Sequence, residues 1–230
     1  MKEIICNSVF FGAFISLAAY LVGMRLEKRF KLAVFNPLLI AIIIIIALLG
    51  VLKIDYQAYY KGAKYISYLL TPATVCLAIP LYQELEVLRN NWKAIITGIV
   101  AGVISSLGGI LVLSYLFGLS HQQYVTLLPK SITTAIGIGV SQELGGIVTI
   151  TVAVIIVTGI LGNMLAEITC KIFRITEPIA KGIAIGTSSH VIGTVKAMEM
   201  GEVEGAMSSL AITVAGLITV IGASMFANFM

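Results

Sequence analysis

Three short segments interrupt otherwise greasy runs with residues that bind rather than pack: Leu70-Thr71-Pro72-Ala73-Thr74-Val75, Pro129-Lys130-Ser131-Ile132-Thr133-Thr134 and Gly186-Thr187-Ser188-Ser189-His190-Val191-Ile192-Gly193-Thr194. Each sets hydroxyl donors beside residues that disturb a helix. Proline removes a backbone hydrogen bond and restrains the residue before it, and glycine lets the chain unwind. A broken helix exposes unpaired N–H groups and a positive dipole end, which suit a small anion. Thr71, Thr74, Ser131, Thr133, Thr134, Thr187, Ser188 and Ser189 can donate to such an anion without adding negative charge, and Pro72 makes the first break. Lys130 is the candidate counter-charge; its alternative is a lysine reaching for the membrane interface. His190 can bind a carboxylate or relay a proton, because imidazole changes charge near neutral pH. Its alternative is a hydrogen-bonded packing residue. No intramembrane aspartate pair stands ready for a cation, so a small carboxylate is the better fit.

The elements that hold these segments belong in a membrane. Of 230 residues, 59% are hydrophobic and 11% charged, with a mean hydropathy of +1.03. Globular domains carry about 25% charged residues, so a water-soluble enzyme is excluded. Eight apolar elements can be delimited: Ile4 to Met24, Ala33 to Leu52, Gly62 to Gln83, Trp92 to Phe117, Tyr124 to Glu143, Ile147 to Lys171, Pro178 to Met198 and Ala206 to Phe229. A spanning helix needs about 20 apolar residues, and these runs are continuous rather than alternating, unlike barrel strands. The chain reads as an all-α, polytopic membrane protein, a single transmembrane domain over 1–230.

The net charge of +4 comes from cations clustered between spans, where they set orientation, and it gives nucleic-acid binding no support. Cys6, Cys76 and Cys170 lack metal or redox spacing and read as small buried hydrophobes. The first run is long for a signal core and its basic cluster follows it, so it reads as a retained span. No GxxxxGK[ST] loop, HExxH motif or nucleophile–base pair occurs in the spans. Neither a cofactor nor enzymatic chemistry is implied.

Arg25, Lys28, Arg29 and Lys31 form the strongest basic loop and mark the cytoplasmic side. Counting spans onward puts Arg89 and Lys93 inside and the uncharged loop at Ser120 outside. Lys171, Arg174 and Lys181 are inside only if the fifth element, Tyr124 to Glu143, is re-entrant. Its proline, glycines and hydroxyls suit a segment sheltered by protein or a watery cavity. The seventh element is then expected to cross, leaving Glu199, Glu202 and Glu204 outside. Glu167 and Lys171 stand one helical turn apart and are expected to pair, while Glu143 and Lys196 sit near element ends, at the interface.

Shifting the chain by roughly 115 residues overlays element two on six, three on seven and four on eight, each pair running in opposite directions. The expectation is about seven transmembrane helices plus a re-entrant segment, forming an inverted repeat (approximately 33–117 and 147–230) whose two broken helices meet near the midplane. Residue identity between the halves is low, so the alternative is an accidental agreement of helix lengths.

Asn36-Pro37-Leu38-Leu39, the run LTPATVCLAIPLY from Leu70 to Tyr82, Pro129 to Thr134 and Gly186 to Thr194, in this order, resemble the LrgB/CidB family of bacterial membrane proteins over almost the entire chain. The resemblance implies a multi-pass protein of the bacterial cell membrane, antiholin-like or an effector of murein hydrolase activity, linked to autolysis and programmed cell death. It implies a smaller holin-like partner of the LrgA/CidA type and a homo-oligomer among membrane lipids. For some relatives it implies movement of pyruvate, glycolate or glycerate, in agreement with the anion argument. Distant kinship with bile-acid and cation/proton antiporter transporters implies crossed broken helices. Ala135-Ile136 departs from the pattern, where relatives often carry proline first, so this break is expected to be milder. Two readings follow: a secondary carrier or facilitator of a small carboxylate, and an antiholin-like modulator of holin oligomers without transport of its own.

Overall fold

The computed structural model describes residues 10–30, 35–76 and 78–230, and no strand occurs among them. The start of the first apolar run with Cys6, and Lys31 and Ala33, lie outside the described residues, as do the side chains of Thr71 and Thr74. The chain divides into two compact units, Met1–Cys76 and Leu77–Met230.

The first unit contains α1 (Phe11–Phe30), α2 (Pro37–Leu52), α3 (Tyr56–Ser67) and α4 (Leu70–Cys76). The Asn36-Pro37 pair is a helix start. Asn36 accepts from the N–H groups of Leu38 (3.0 Å) and Leu39 (3.2 Å), and Pro37 brings a preset φ. Gly12 of α1 lies so near Tyr59 and Ala63 of α3 that a Cβ there would overlap their backbone. Ser16 and Tyr59 share a 2.8 Å hydrogen bond across the same pair. Pro72 stands third in α4, and Pro80 third in α5 (Ala78–Gln83), which opens the second unit. A first-turn N–H has no helical partner to lose, so each proline begins a short helix. Cys76 is exposed, where burial was expected.

The second unit continues with α6 (Leu85–Phe117), α7 (His121–Leu127), α8 (Thr134–Glu143), α9 (Val148–Ile172), α10 (Pro178–Met200) and α11 (Glu202–Phe226). Among the described residues three helices are long and apolar enough to cross a membrane: α6, α9 and α11 with its terminal 3-10 turn. The pair α7–α8 folds as a hairpin. Gln122 Nε2 donates to the Gly145 carbonyl at 3.4 Å, and the Ile147 N–H donates to Thr126 Oγ1 at 2.8 Å. Both ends of the fifth element therefore lie together.

The seventh element departs from its expectation. His190 in α10 has φ 42° and ψ −143°, far from helical values, and the chain doubles back there. Ile185 packs with Ala197, although twelve residues of straight helix at 1.5 Å each would separate them by about 18 Å. This element is a second hairpin, with Gly193 of the returning arm against Ile185. Its acidic end consequently lies beside its basic start, with Lys181 and Glu204 paired at 3.6 Å. Glu199, Glu202 and Glu204 thus share a side with Lys171, Arg174 and Lys181 instead of lying opposite. Charge counting missed this because Lys and Arg set orientation and an acidic loop carries little weight in it.

The hairpin bases lie at opposite ends of α9, one against Ile147 and the other near Lys171. The arms of the second hairpin reach about 15–18 Å, half of a roughly 30 Å hydrocarbon layer, so its tip stops near the middle. Along α6, Gly98 faces Ile183, Gly102 faces Thr187 and Ser106 bonds Ser131. This ladder sets the two tips one helical turn apart. Ile95, Ile99, Val103, Leu107 and Ile110 give α6 its buried stripe at the helical period. Gly182 and Gly186 let the second hairpin sit directly on the backbone of α11 at Glu204 and Ser208, the close approach that small residues permit between membrane helices.

Candidate functional site

Burial of Pro129, Ser131 and Ile132 fixes the first tip. There Lys130 Nζ donates to Ser131 Oγ at 2.8 Å and to Ser106 Oγ at 3.4 Å, and Ser106 donates to Ser131 at 3.1 Å. An ammonium has three N–H donors, so one is left over. No carboxylate pairs with Lys130 among the described residues. Thr133 and Thr134 are half-buried at the start of α8, and the Thr133 side chain makes no capping bond. The first-turn N–H groups of α8 therefore have no partner within the helix or from that cap.

The second tip spends much of its polarity on itself. Thr187 donates to the Ile183 carbonyl (2.8 Å) and Ser188 to that of Ala184 (2.7 Å), while Ser188 and Ser189 share a 3.0 Å hydrogen bond. Thr194 bonds both the His190 carbonyl (3.0 Å) and Ser208 (2.7 Å), tying the returning arm to α11. His190 is buried, and its Nε2 lies 2.9 Å from the Ile155 carbonyl of α9. A carbonyl only accepts, so Nε2 carries the proton. The ring occupies the space beside Gly159, where a Cβ would come within 2.6 Å of Cε1, and Ser189 fills the corresponding space at Gly162. Asn163 Nδ2 donates to the Ile192 carbonyl at 2.9 Å.

Between the tips lies a cavity of about 330 Å³, lined by Lys130, Gly162, Cys170, Ile175, Ser188 and Ser189 among others, at the small end of the ligand pockets seen in proteins. Lys130, Ser188 and Ser189 thus line one cavity, with Ser131 bonded to Lys130. Thr133, Thr134, Thr187 and His190 do not line the cavity. Thr71, Pro72 and Thr74 belong to the first unit, where Pro72 is exposed. Sequence reasoning missed Ser106, the Ile155 carbonyl, Gly159 and Gly162. The two glycines stand three apart on one face of α9, a signal visible in the sequence but easily taken for plain helix packing. Lys196 bonds Glu167 at 2.8 Å and Glu199 at 3.1 Å, joining α9 to the second hairpin. The expected Glu167–Lys171 pair is present but longer, 3.9 Å.

Two hairpins meeting among three apolar spanning helices around a lysine define a multi-pass bacterial-type membrane protein with a polar centre. The chain belongs to the LrgB-like family, which matches it over residues 16–229. It is 39% identical over 221 residues to the antiholin-like protein LrgB of Bacillus mycoides (strain KBAB4), of Bacillus cereus (strain B4264) and of Bacillus anthracis (strain CDC 684 / NRRL 3495), with 96% of this chain and 96% of each relative covered. No solved structure matches.

Proposed function

We propose that this protein is a secondary carrier or facilitator of a small carboxylate of the pyruvate or glycolate type, working as a homo-oligomer with a holin-like partner of the LrgA/CidA type. Lys130 is the observation that carries the reading: a cation at a hairpin tip that, among the described residues, has no carboxylate partner and bonds only Ser131 and Ser106, leaving one ammonium donor over. A charge at this depth costs several kcal/mol unless something answers it, and a carboxylate in the adjoining cavity does so. Ser188 and Ser189 supply further donors when their hydroxyls rotate. His190 and Thr187 hold the second tip in register, and Thr133 and Thr134 start the returning helix, while Thr71, Pro72 and Thr74 belong to the first unit and are not drawn into this site. In this reading the second hairpin moves against α6 and α11; the inverted repeat expected over about 33–117 and 147–230 is not part of it, because α6 and α11, its last pair, run parallel, with Tyr115 bonded to Phe229 and Gly222 against Leu107. Positive-inside asymmetry supports a cytoplasmic location for Arg89, Lys93, Lys171, Arg174 and Lys181.

Purified protein in liposomes tests this. Labelled pyruvate or glycolate should accumulate above empty vesicles, Lys130→Met should abolish uptake, and Lys130→Arg should keep part of it. The printed name of the relatives favours a second reading, a modulator of holin oligomers and murein hydrolase release that carries nothing itself. Failure of pyruvate, lactate and glycolate alike, with and without a proton gradient and the partner, removes the carrier and leaves the modulator.

A further inference from the structure

Resting on the carrier reading, we infer that the Lys130 cavity communicates with one side of the membrane only, through a basic mouth at Lys171, Arg174 and Lys181 whose neck is Cys170 and Ile175, and that Arg174 admits anions in preference to cations. The inner cavity of about 330 Å³ ends at Lys130, and an outer one of about 750 Å³ is lined by Lys171, Arg174 and Lys181. Cys170 and Ile175 line both, so the two adjoin there. Toward the opposite side the described residues of the first hairpin are packed and bonded. Tyr124, Val125, Leu128 and Pro129 are buried, and Thr126, Ser141 and Thr151 form a continuous set of hydrogen bonds with the Ile147 N–H.

The charges of the mouth are nearly all answered except one. Lys196 is held by Glu167 and Glu199, Lys181 by Glu204, and Lys171 reaches Glu167 at 3.9 Å. Arg174 has no carboxylate partner among the described residues. Its backbone is also unusual: φ is 54°, the left-handed position that follows a helix, and the Ile175 N–H beyond it bonds the Cys170 carbonyl at 2.8 Å. Glycine commonly takes this position because it has no Cβ to strain. Here a guanidinium occupies it, one residue from the neck, where an unanswered positive charge raises the local concentration of anions.

The test uses the full chain in liposomes with Cys6 and Cys76 replaced by alanine, so that Cys170 is the sole thiol. The probes are anionic sulfonatoethyl methanethiosulfonate and its cationic trimethylammonium counterpart. In both, the Cys170 thiolate attacks the thiosulfonate sulfur, a disulfide forms and methanesulfinate leaves. Normalised to a free thiol in solution, the anionic probe should label Cys170 several-fold faster than the cationic one, and only from the Lys171 face. Arg174→Gln should bring the ratio near one, pyruvate should slow labelling, and the adduct should stop uptake. Complete labelling by mass with uptake unchanged overturns the route, and equal labelling rates that Arg174→Gln leaves unmoved overturn the selecting role of Arg174. If untreated protein carries no pyruvate, the carrier reading falls by itself, and the charge preference of labelling still decides for or against the mouth.

Discussion

The two hairpins share a plan and differ at their bases. The first is closed by hydroxyls: Thr126, Ser141 and Thr151 bond one another and nearby backbone at 2.6–3.3 Å, and such a network in a low-dielectric setting is satisfied only as a whole. The second is closed by ion pairs around Lys181 and Lys196, with side chains open enough that Glu199 is 61% exposed. The Lys196 pairs, at such exposure, contribute about 0–1 kcal/mol each, whereas the Glu204 side chain that answers Lys181 is only 9% exposed. The comparison teaches that a buried hydroxyl network makes one hairpin part of α9, whereas the returning arm of the other is held at its base by open ion pairs and is cheaper to move.

The largest expected effect breaks the second hairpin where it touches α11. Gly186→Leu forces carbon into the Ser208 backbone, since even a Cβ would lie 2.5 Å from that carbonyl. A loss of about 3 kcal/mol or more is expected, seen as aggregation on size exclusion or a collapsed melting temperature; a well-behaved variant would refute the hairpin's seat. Next, Thr151→Val leaves the first base short of a partner and should lower stability by about 1–3 kcal/mol, measured by thermal melting in detergent, with uptake per folded molecule preserved. Lys196→Gln removes two pairs from the other base and should change stability by less than about 1 kcal/mol. Its signature is faster hydrogen exchange over Val191–Met200 than over Thr134–Glu143, and equal exchange in both would erase the contrast. Smallest of all, Gly139→Ala in α8, with nothing within 4 Å of its new methyl, should stabilise by about 0.5–1 kcal/mol.

Part of this architecture is legible residue by residue. Pro129 and the glycines after Thr134 mark the first hairpin, and Asn36-Pro37 marks a helix start. Lys130, Ser188 and Ser189 can be chosen because hydroxyls and a cation are out of place in hydrocarbon. The second reversal is not legible in this way. It falls on His190, with neither a glycine nor a proline at the reversal itself, between two stretches that each read as helix. What holds it there is the Ile155 carbonyl, the space left by Gly159 and Gly162, and the Thr194–Ser208 bond, all from other elements. The role of Lys196 was hidden for the same reason, since Glu167 lies on a different helix.

Composition and the order of residues were enough to decide solvent, secondary structure and the sign of the central charge, because hydropathy and backbone satisfaction are properties of local runs. Which runs cross, which turn back, and what Lys130 touches were decided only by tertiary structure. Those outcomes depend on contacts such as Ile185 with Ala197 and Ser106 with Ser131, between residues that no periodicity of their own segments connects.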